Sequence, residues 1–386
     1  MTLIRKIRAT VWKNPAQSIS SSPVLLTQAS SAWTGVSNRR TIFCGKVLYR
    51  LGHRHPHSIH LPFTERTLTV NTCKDLYNEW RGKPGYWEAP TKGLNVPLKF
   101  VYTTQDRKEN GDSSKRPLIM FMTGAPGTYK DYSYSLPFFE QNGVDSLAFT
   151  WPDTAFSRKT NCWWHSKQEK TQLVFDFLKA LKITELDTLV AHSSACYVAL
   201  NLFTSHFKTR SLALLNPPPV KTPRCVLPKF VIFGCGRLFQ HKDKRDLASF
   251  LLRTSLTMML HPVKKDMDNV FQSVLAMMYG DSPEYRKDLD TLVQMRLPAL
   301  VTISDDDKLF EIGKSLRTLK DMGRKPETFW YYDKNEGIIQ EGVDDYMEVI
   351  RFQGGSHYTF SRHSDIVNEA ILGILQKALE KQKKIF

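Results

Sequence analysis

The sequence predicts an α/β protein in which a mostly parallel central sheet is covered by helices on both faces. Short apolar runs alternate with segments of helical periodicity, which is the pattern of repeated strand–helix units. The chain has 386 residues, enough for one large core with an insertion. The predicted strands, in chain order, are 97–103, 117–122, 146–151, 188–191, 211–215, 299–303 and 347–352.

Two predicted helices carry particularly clear signals. Ser166 is followed three residues later by Glu169, which is the spacing of a capping box at a helix N-terminus. Apolar residues then recur at helical spacing until about Ile183, and we interpret this stripe as core. A final helix is predicted over 366–381, with its aliphatic residues facing inward.

The segment 188–196 places a serine between small residues where a predicted strand meets a predicted helix. Its sequence is a variant of Gly-x-Ser-x-Gly, with Ala191 and Ala195 in the glycine positions around Ser193. A strained turn of this kind, a nucleophile elbow, lifts the serine hydroxyl above the sheet. Ser193 is therefore the candidate nucleophile. The alternative is an ordinary core strand that happens to carry two serines.

The loop after the predicted strand 117–122 is a candidate half of an oxyanion hole. It consists of small residues, among them Gly124, Ala125 and Gly127. Such a loop supplies one backbone donor and the residue after the nucleophile supplies the other. We therefore predict that the amides of Ala125 and Ser194 bind the oxyanion. A plain turn is the alternative, since glycine and proline favour turns and Thr123 stands where histidine is common.

Three consecutive carboxylates follow the predicted strand 299–303. Asp305, Asp306 and Asp307 are all candidates for the acid that orients a catalytic histidine. Asp307 is favoured because it lies three residues past Ser304, a turn position often held by glycine, and just before a predicted amphipathic helix. The other interpretation is that these carboxylates only stabilise the positive end of that helix.

His357 is the candidate general base. The predicted strand 347–352 leads through Gly354 and Gly355 to this histidine near the end of the chain. Its position completes the chain order Ser, Asp, His, which differs from the order in other serine-triad folds. An isolated histidine is more often a surface or core residue. The other histidines of the chain do not follow a predicted strand and loop or, like His192, belong to the elbow segment itself.

From about Val96 to the C-terminus these motifs resemble the α/β-hydrolase superfamily, and within it a nematode family of α/β-hydrolases of unknown function. The closer similarity rests on the segments 124–127, 165–169, 191–196 and 307–311. The resemblance implies an α/β-hydrolase fold with an inserted helical lid and a triad of Ser193, Asp307 and His357. Its members mostly carry Gly-His-Ser-x-Gly-Cys at the elbow, so the two alanines here are departures.

The alternation of strands and helices breaks between Asn216 and Leu297. A run of three prolines opens this segment, which is rich in Phe, Leu and Met mixed with Lys and Arg. We predict a lid over 217–290, inserted into a core formed by 96–216 and 291–386. Met and Phe side chains suit a pocket for acyl or other apolar groups, although they also pack within lids. Peripheral membrane contact is a secondary interpretation.

The N-terminal part of the chain has a different composition. Residues 1–64 contain nine Lys or Arg and no Asp or Glu, and serine is abundant. This composition is typical of a mitochondrial transit peptide. We predict a targeting segment over 1–45, an N-terminal extension over 46–95, and a mitochondrial location, in the matrix, with the cytoplasm as the alternative. No apolar run is long enough for a transmembrane span.

Net charge and cysteine usage exclude some classes of partner. The formal net charge is +16, of which nine units belong to residues 1–64, leaving +7 for the rest of the chain. The basic stripe with interleaved aromatic residues that is typical of nucleic-acid binding is missing from the sequence, so nucleic acid is not an expected partner. Six cysteines show no close metal-binding pairing, and free thiols in a reducing compartment are the simplest interpretation.

Together the motifs predict a serine hydrolase that cleaves a carboxylic ester or thioester with an apolar group. Ser193 would form an acyl-enzyme with His357 as base and Asp307 as its partner, and this chemistry needs no cofactor or metal. The expected partner is a small apolar ester or acyl substrate. The alternative is a non-catalytic protein of the same fold that binds a ligand or an interaction partner, which the alanines at 191 and 195 and Thr123 favour.

Overall fold

The ten described strands of the central sheet determine where the candidate site lies. The computed structural model describes residues 63–83, 89–112, 114–205, 207–223, 228–258, 267–278 and 283–383. The predicted targeting segment 1–45 lies outside these residues. The described strands are β1 (Arg66–Thr72), β2 (Leu94–Tyr102), β3 (Leu118–Met122), β4 (Asp145–Phe149), β5 (Glu185–Leu186), β6 (Thr188–His192), β7 (Lys208–Thr209), β8 (Leu212–Leu215), β9 (Ala299–Ser304), β10 (Trp330–Tyr332), β11 (Ile338–Gln340) and β12 (Met347–Phe352).

The strand order in the described sheet is β1-β2-β4-β3-β6-β8-β9-β12-β10-β11. From β4 to β10 every neighbouring pair is parallel. Antiparallel pairing occurs at the two edges, where β2 pairs with β1 and β4, and β11 pairs with β10. The predicted mostly parallel sheet is confirmed, and the carboxyl ends of its central strands meet at one edge, where sites of this fold class form.

Thirteen helices are described alongside the sheet. They are α1 (Lys74–Trp80), α2 (Thr103–Glu109), α3 (Ser135–Gln141), α4 (Thr154–Thr160), α5 (Lys167–Ala180), α6 (Ala195–Thr204), α7 (Lys229–Gln240), α8 (Arg245–Met258), α9 (Met267–Met278), α10 (Pro283–Met295), α11 (Ile312–Asp321), α12 (Thr359–Arg362) and α13 (Ser364–Lys383). None of these helices is long and apolar enough to cross a membrane.

Alternate residues of each central strand pack into two different cores. On β3, Met120 and Met122 join the core that contains α5 and α6, whereas Ile119 and Phe121 join the core that contains α3 and α13. Both sets are buried, because side chains alternate between the two faces of a strand. The sheet is therefore covered by helices on both faces, as the sequence predicts.

The predicted capping box starts α5. Ser166 Oγ accepts from the amide of Glu169 at 3.1 Å, and the Ser166 amide donates to Glu169 Oε2 at 3.0 Å. Glu169 is fully buried and also accepts from the Tyr77 hydroxyl at 2.6 Å. Glu169 thus connects α1 to α5. Helix α6, which follows β6, packs against α5.

Four helices, α7 to α10, occupy the segment between β8 and β9. Phe239 of α7 stacks on Phe271 of α9 with ring centroids 4.1 Å apart, so these helices share a small core. Helix α10 packs against α6 through Tyr285 and Tyr197, whose rings lie 4.6 Å apart. The lid function assigned to 217–290 stays a prediction.

Candidate active site

Ser193 lies at the turn between β6 and α6. Its φ angle is +53°, a left-handed conformation that residues other than glycine seldom adopt, and its amide donates to Leu215 O on β8 at 2.9 Å. This is the strained turn expected of a nucleophile elbow. Ala191 and Ala195 are buried on either side, so their methyl groups fit where glycine is usual.

A chain of hydrogen bonds joins the three residues that the sequence singled out. The Ser193 hydroxyl lies 2.7 Å from His357 Nε2, and His357 Nδ1 lies 2.8 Å from Asp307 Oδ2. The carboxylate accepts from Nδ1–H, which leaves Nε2 free to accept the serine proton. The Ser193 and His357 residues and the Asp307 side chain are buried. The structure therefore brings all three residues together, although they are far apart in the chain.

Asp307 is held in place from two sides. Its Oδ1 accepts from the amides of Leu309 and Phe310 at 2.8 and 3.0 Å. Its Oδ2, which faces His357, also lies 3.3 Å from Asn216 Nδ2. Asn216 follows β8 directly, so the neighbouring strand helps to orient the carboxylate.

Asp305 binds residues other than His357. Its two oxygens accept from the Arg351 guanidinium at 2.7 and 3.1 Å, and Oδ2 also accepts from the Tyr331 hydroxyl at 2.7 Å. Arg351 belongs to β12 and Tyr331 to β10, so Asp305 links the end of β9 to the two next strands.

Asp306 shapes the loop that carries His357. Its Oδ1 accepts from the Ser304 hydroxyl at 2.6 Å and from the amides of Gly355 and Ser356 at 3.1 and 2.7 Å. Burial raises the pKa of Asp306, but these hydrogen bonds outweigh it and the pKa lies below its ordinary value. The carboxylate therefore stays charged and fixes the two residues before His357.

The predicted oxyanion loop packs closely against Ser193. A methyl group on Gly124 would come within 2.8 Å of Ser193 Cβ, so only glycine fits here without movement. The Ala125 amide points toward the elbow, where it donates to the Ser194 hydroxyl at 3.2 Å. Ser273 of α9 donates to the Ala125 carbonyl at 2.8 Å, which links the segment after β8 to this loop.

Thr123 anchors the same loop at the position where histidine is common. Its hydroxyl donates to Asp131 Oδ2 at 2.5 Å, and its carbonyl accepts from Trp151 Nε1 at 2.7 Å. Burial raises the pKa of Asp131. A methyl group on Gly127 would collide with both Thr123 and Asp131, so the loop turns tightly around this pair.

His192 contributes a contact that sequence reasoning did not identify. Its Nε2 lies 2.8 Å from the backbone carbonyl of His357, and the two rings lie 4.9 Å apart. Burial, followed by the neighbouring His357, places the pKa of His192 well below its ordinary value, so the ring is neutral. The sequence assigns His192 only to the elbow, and no local signal marks this long-range contact.

No group of three His, Cys, Asp or Glu side chains in the described ranges is arranged to hold a metal ion. Within the same ranges no disulfide joins the cysteines, which are Cys73, Cys162, Cys196 and Cys235. Cys196 follows the elbow and is fully buried; burial holds its pKa well above the ordinary value of a thiol. The Cys196 thiol is therefore neutral in the folded chain.

A mostly parallel sheet with a serine at the turn after β6 is the fold of an α/β-hydrolase. The chain belongs to the family described as alpha/beta hydrolase of unknown function (DUF1057), whose sequence profile matches residues 92–376. The superfamily and the fold class predicted from the sequence are thereby confirmed.

Solved structures with a similar fold include three from prokaryotes. Rv0554 from Mycobacterium tuberculosis is 14% identical, covering 80% of this chain and 99% of that one, with a TM-score of 0.48. The esterase EaEST from Exiguobacterium antarcticum is 14% identical over 73% of this chain and 96% of its own, with a TM-score of 0.46. A carboxylesterase structure from Nitrososphaera gargenis is 13% identical over 74% and 96%, with a TM-score of 0.47. No curated protein matches the sequence significantly.

Proposed function

We infer that this chain is a serine hydrolase that cleaves a carboxylic ester or thioester with an apolar group. The observation that carries this proposal is the continuous chain from Ser193 Oγ through His357 to Asp307, with contacts of 2.7 and 2.8 Å. Acyl transfer requires a hydroxyl that attacks, an imidazole that takes its proton and a carboxylate that orients the imidazole, and these three groups lie in that order here.

Acylation begins when His357 Nε2 takes the proton of Ser193 and the serine oxygen attacks the substrate carbonyl. The tetrahedral intermediate collapses as the bond to the alcohol or thiol breaks, and the proton on Nε2 passes to that leaving group. Asp307 stabilises the charged imidazolium between these steps. Water, deprotonated by the same nitrogen, then attacks the acyl carbon. The bond to Ser193 Oγ breaks, the carboxylic acid leaves, and the proton on Nε2 returns to the serine oxygen.

The negative charge on the carbonyl oxygen needs donors that are already in position. The amides of Ala125 and Ser194 are the proposed donors, since the elbow turn and the Gly124 contact hold both beside Ser193. The Ser194 hydroxyl accepts from the Ala125 amide before substrate binds. In this mechanism the oxyanion takes over that hydrogen bond.

Aromatic rings around the base support the assignment of an apolar substrate. Phe310 lies edge-on to the His357 ring at 4.8 Å, and Tyr358 lies edge-on at 5.6 Å. Such walls exclude water from the reacting atoms and favour apolar acyl or alcohol groups. Helix α9, in the segment predicted as a lid, contacts the oxyanion loop through Ser273.

The proposed location is the mitochondrion. Its support is the composition of residues 1–64, which carry nine basic residues and no acidic ones. The assignment is tested by fusing residues 1–60 to a fluorescent protein. Import into mitochondria supports it, and a diffuse cytosolic signal contradicts it.

Fluorophosphonate labelling tests the proposed nucleophile directly. The wild-type chain is expected to react stoichiometrically, whereas Ser193→Ala does not react and His357→Ala reacts at least ~10³-fold more slowly. Ser205→Ala is the matched control, because Ser205 is exposed at the end of α6 and away from these contacts. A series of p-nitrophenyl esters of increasing chain length then measures how large an acyl group is accepted.

Absence of labelling in a wild-type sample with native circular dichroism contradicts the proposal. In that case tight binding of a long-chain acyl compound without turnover would support the non-catalytic alternative. The observation that favours this alternative is the presence of Ala191 and Ala195 in place of glycines at the elbow.

A further inference from the structure

Helix α8 has two apolar faces rather than one. Its inner face is buried through Ala248 and Leu252. On its outer side Leu247 is 52% exposed, Phe250 66%, Leu251 37% and Met258 79%. At roughly 100° per residue these four side chains fall within an arc of about 100°, opposite the buried face.

This outer row, Leu247, Phe250, Leu251 and Met258, is unlike the outer face of an ordinary helix in water. A surface helix normally turns charged and polar residues to solvent, and apolar residues are exposed singly. Here the row follows one side of the helix at i, i+3, i+4 and i+11, with the exposed Thr254 at i+7. Phe230, at the start of the adjoining α7, is 81% exposed as well. Several exposed apolar side chains on one side of a helix mark a candidate docking site.

The charge of the surrounding helices indicates which surface it suits. The described residues 228–258 contain six basic and two acidic residues, a formal charge of +4. Arg237, Lys242, Lys244 and Arg253 are exposed, as are both acidic residues, Asp243 and Asp246, so cations exceed anions on the exposed surface by two; Arg245 is buried. An apolar row on helices with an excess of exposed cations complements an anionic bilayer, where apolar side chains enter the interface and Lys and Arg meet the headgroups.

We propose that the outer row of α8 docks this protein on the surface of a bilayer that contains anionic lipids. The docked helix connects to the candidate site through α7, which packs against both α8 and α9. Ser273 of α9 in turn bonds to the Ala125 carbonyl in the oxyanion loop. The substrate class that follows, which rests on the proposed function, is an ester or thioester with an acyl chain drawn from that bilayer.

Vesicle flotation of the full chain tests the docking surface. The vesicles are phosphatidylcholine alone, or phosphatidylcholine with one third phosphatidylglycerol. Wild type is expected to float with the anionic vesicles, and the double variant Phe250→Asp/Leu251→Asp to bind them at least ~10-fold more weakly. The matched control is Ile338→Asp/Ile339→Asp on β11, since these residues are 55% and 51% exposed and lie outside the row. The control pair is expected to bind like wild type.

A local probe separates α8 from the basic N-terminal residues, which can also attract anionic lipids. An environment-sensitive dye on Phe250→Cys is expected to shift its emission to the blue on anionic vesicles, and the same dye on Ile338→Cys is not. The signal of wild type treated with dye is subtracted as background. A protein that floats while the dye at 250 does not respond overturns the proposal, and so does equal binding by the double variant.

Two further readouts complete the experiment. Self-association that depends on concentration, is lost in Phe250→Asp/Leu251→Asp and occurs without vesicle binding would assign the row to a second copy of this chain and overturn the proposal. Fluorophosphonate labelling without vesicles is measured on the same variants. If wild type floats with anionic vesicles but is not labelled, the proposed enzymatic function alone is contradicted. If wild type is labelled but does not float, the docking surface alone is contradicted.

Discussion

The imidazole of His192, at the end of β6, donates from Nε2 to the backbone carbonyl of His357 at 2.8 Å. This bond fixes the backbone of the candidate base relative to the strand that carries Ser193. The donor must be Nε2–H, since a carbonyl can only accept, and the His192 Nδ1 has no hydrogen-bond partner among the described residues. His192 is therefore a candidate positioning residue.

Replacing His192 is expected to lower the rate of reaction at Ser193. His192→Leu removes the donor while it keeps an apolar side chain of similar bulk, so His357 loses an anchor and kcat falls about tenfold, or about 1.4 kcal/mol, with KM little changed. His192→Gln keeps an amide donor and is expected to recover part of the loss. Steady-state kinetics on a p-nitrophenyl ester measure the split, and a change in KM alone would contradict the positioning role.

Gly124 is expected to tolerate no side chain. Because a Cβ there would lie 2.8 Å from Ser193 Cβ, Gly124→Ala must push the oxyanion loop away from the elbow. A displacement of this size costs roughly 100-fold in the labelling rate. Gly313→Ala is the control, since nothing lies within 4 Å of a Cβ at that helical position. Equal labelling rates for the two variants would show that the loop does not act on the reaction.

Continuous apolar runs made the central strands predictable. The predicted runs 188–191, 299–303 and 347–352 differ by at most one residue from β6, β9 and β12, because buried parallel strands need apolar side chains on both faces. The edge strands do not show such continuous apolar runs. β1 mixes threonine and arginine with its apolar residues, and β10 and β11 have three residues each. Their conformation depends on the partner strand, which local sequence does not show.

The sequence predicted a site residue where a motif determines the backbone conformation. It left alternatives where the direction of a side chain determines which residue contacts the others. The elbow and the final Gly-Gly-Ser-His segment point to Ser193 and His357. Spacing favoured Asp307 but kept Asp305 and Asp306 as alternatives, since all three follow the same strand end within one turn. The contacts to Arg351, to the loop before His357 and to His357 itself distinguish them, and all three depend on strands that are distant in sequence.

Ser194 is expected to slow the reaction through its hydroxyl. In the substrate-free site this hydroxyl accepts from the Ala125 amide, so an incoming oxyanion must displace it. Ser194→Ala removes the competitor and keeps the backbone amide, and we expect a rise in kcat/KM of up to about fivefold, the value of one net hydrogen bond. A fall of tenfold or more would show instead that the hydroxyl donates to the oxyanion.

Two buried histidines are expected to make the fold sensitive to acid. Burial places the pKa of both His165 and His192 well below the ordinary value; the charge of Lys170 adds to the effect at His165, and His357 adds to it at His192. Both rings are therefore neutral in the folded chain. In the unfolded chain they take up protons below about pH 6.5, so the unfolded state binds more protons there.

The free energy of unfolding is consequently expected to decrease as the pH falls below about 6.5, by up to about 1.4 kcal/mol per pH unit for each of the two histidines. Urea denaturation at several pH values measures the slope. His165→Gln is expected to remove one histidine's share and flatten the curve between about pH 6.5 and 5.5, where ordinary carboxylates contribute least. His241→Gln, at an exposed position, is the control and should leave the slope unchanged. Identical slopes for wild type and His165→Gln would mean that His165 takes up its proton in the folded chain, contrary to its burial.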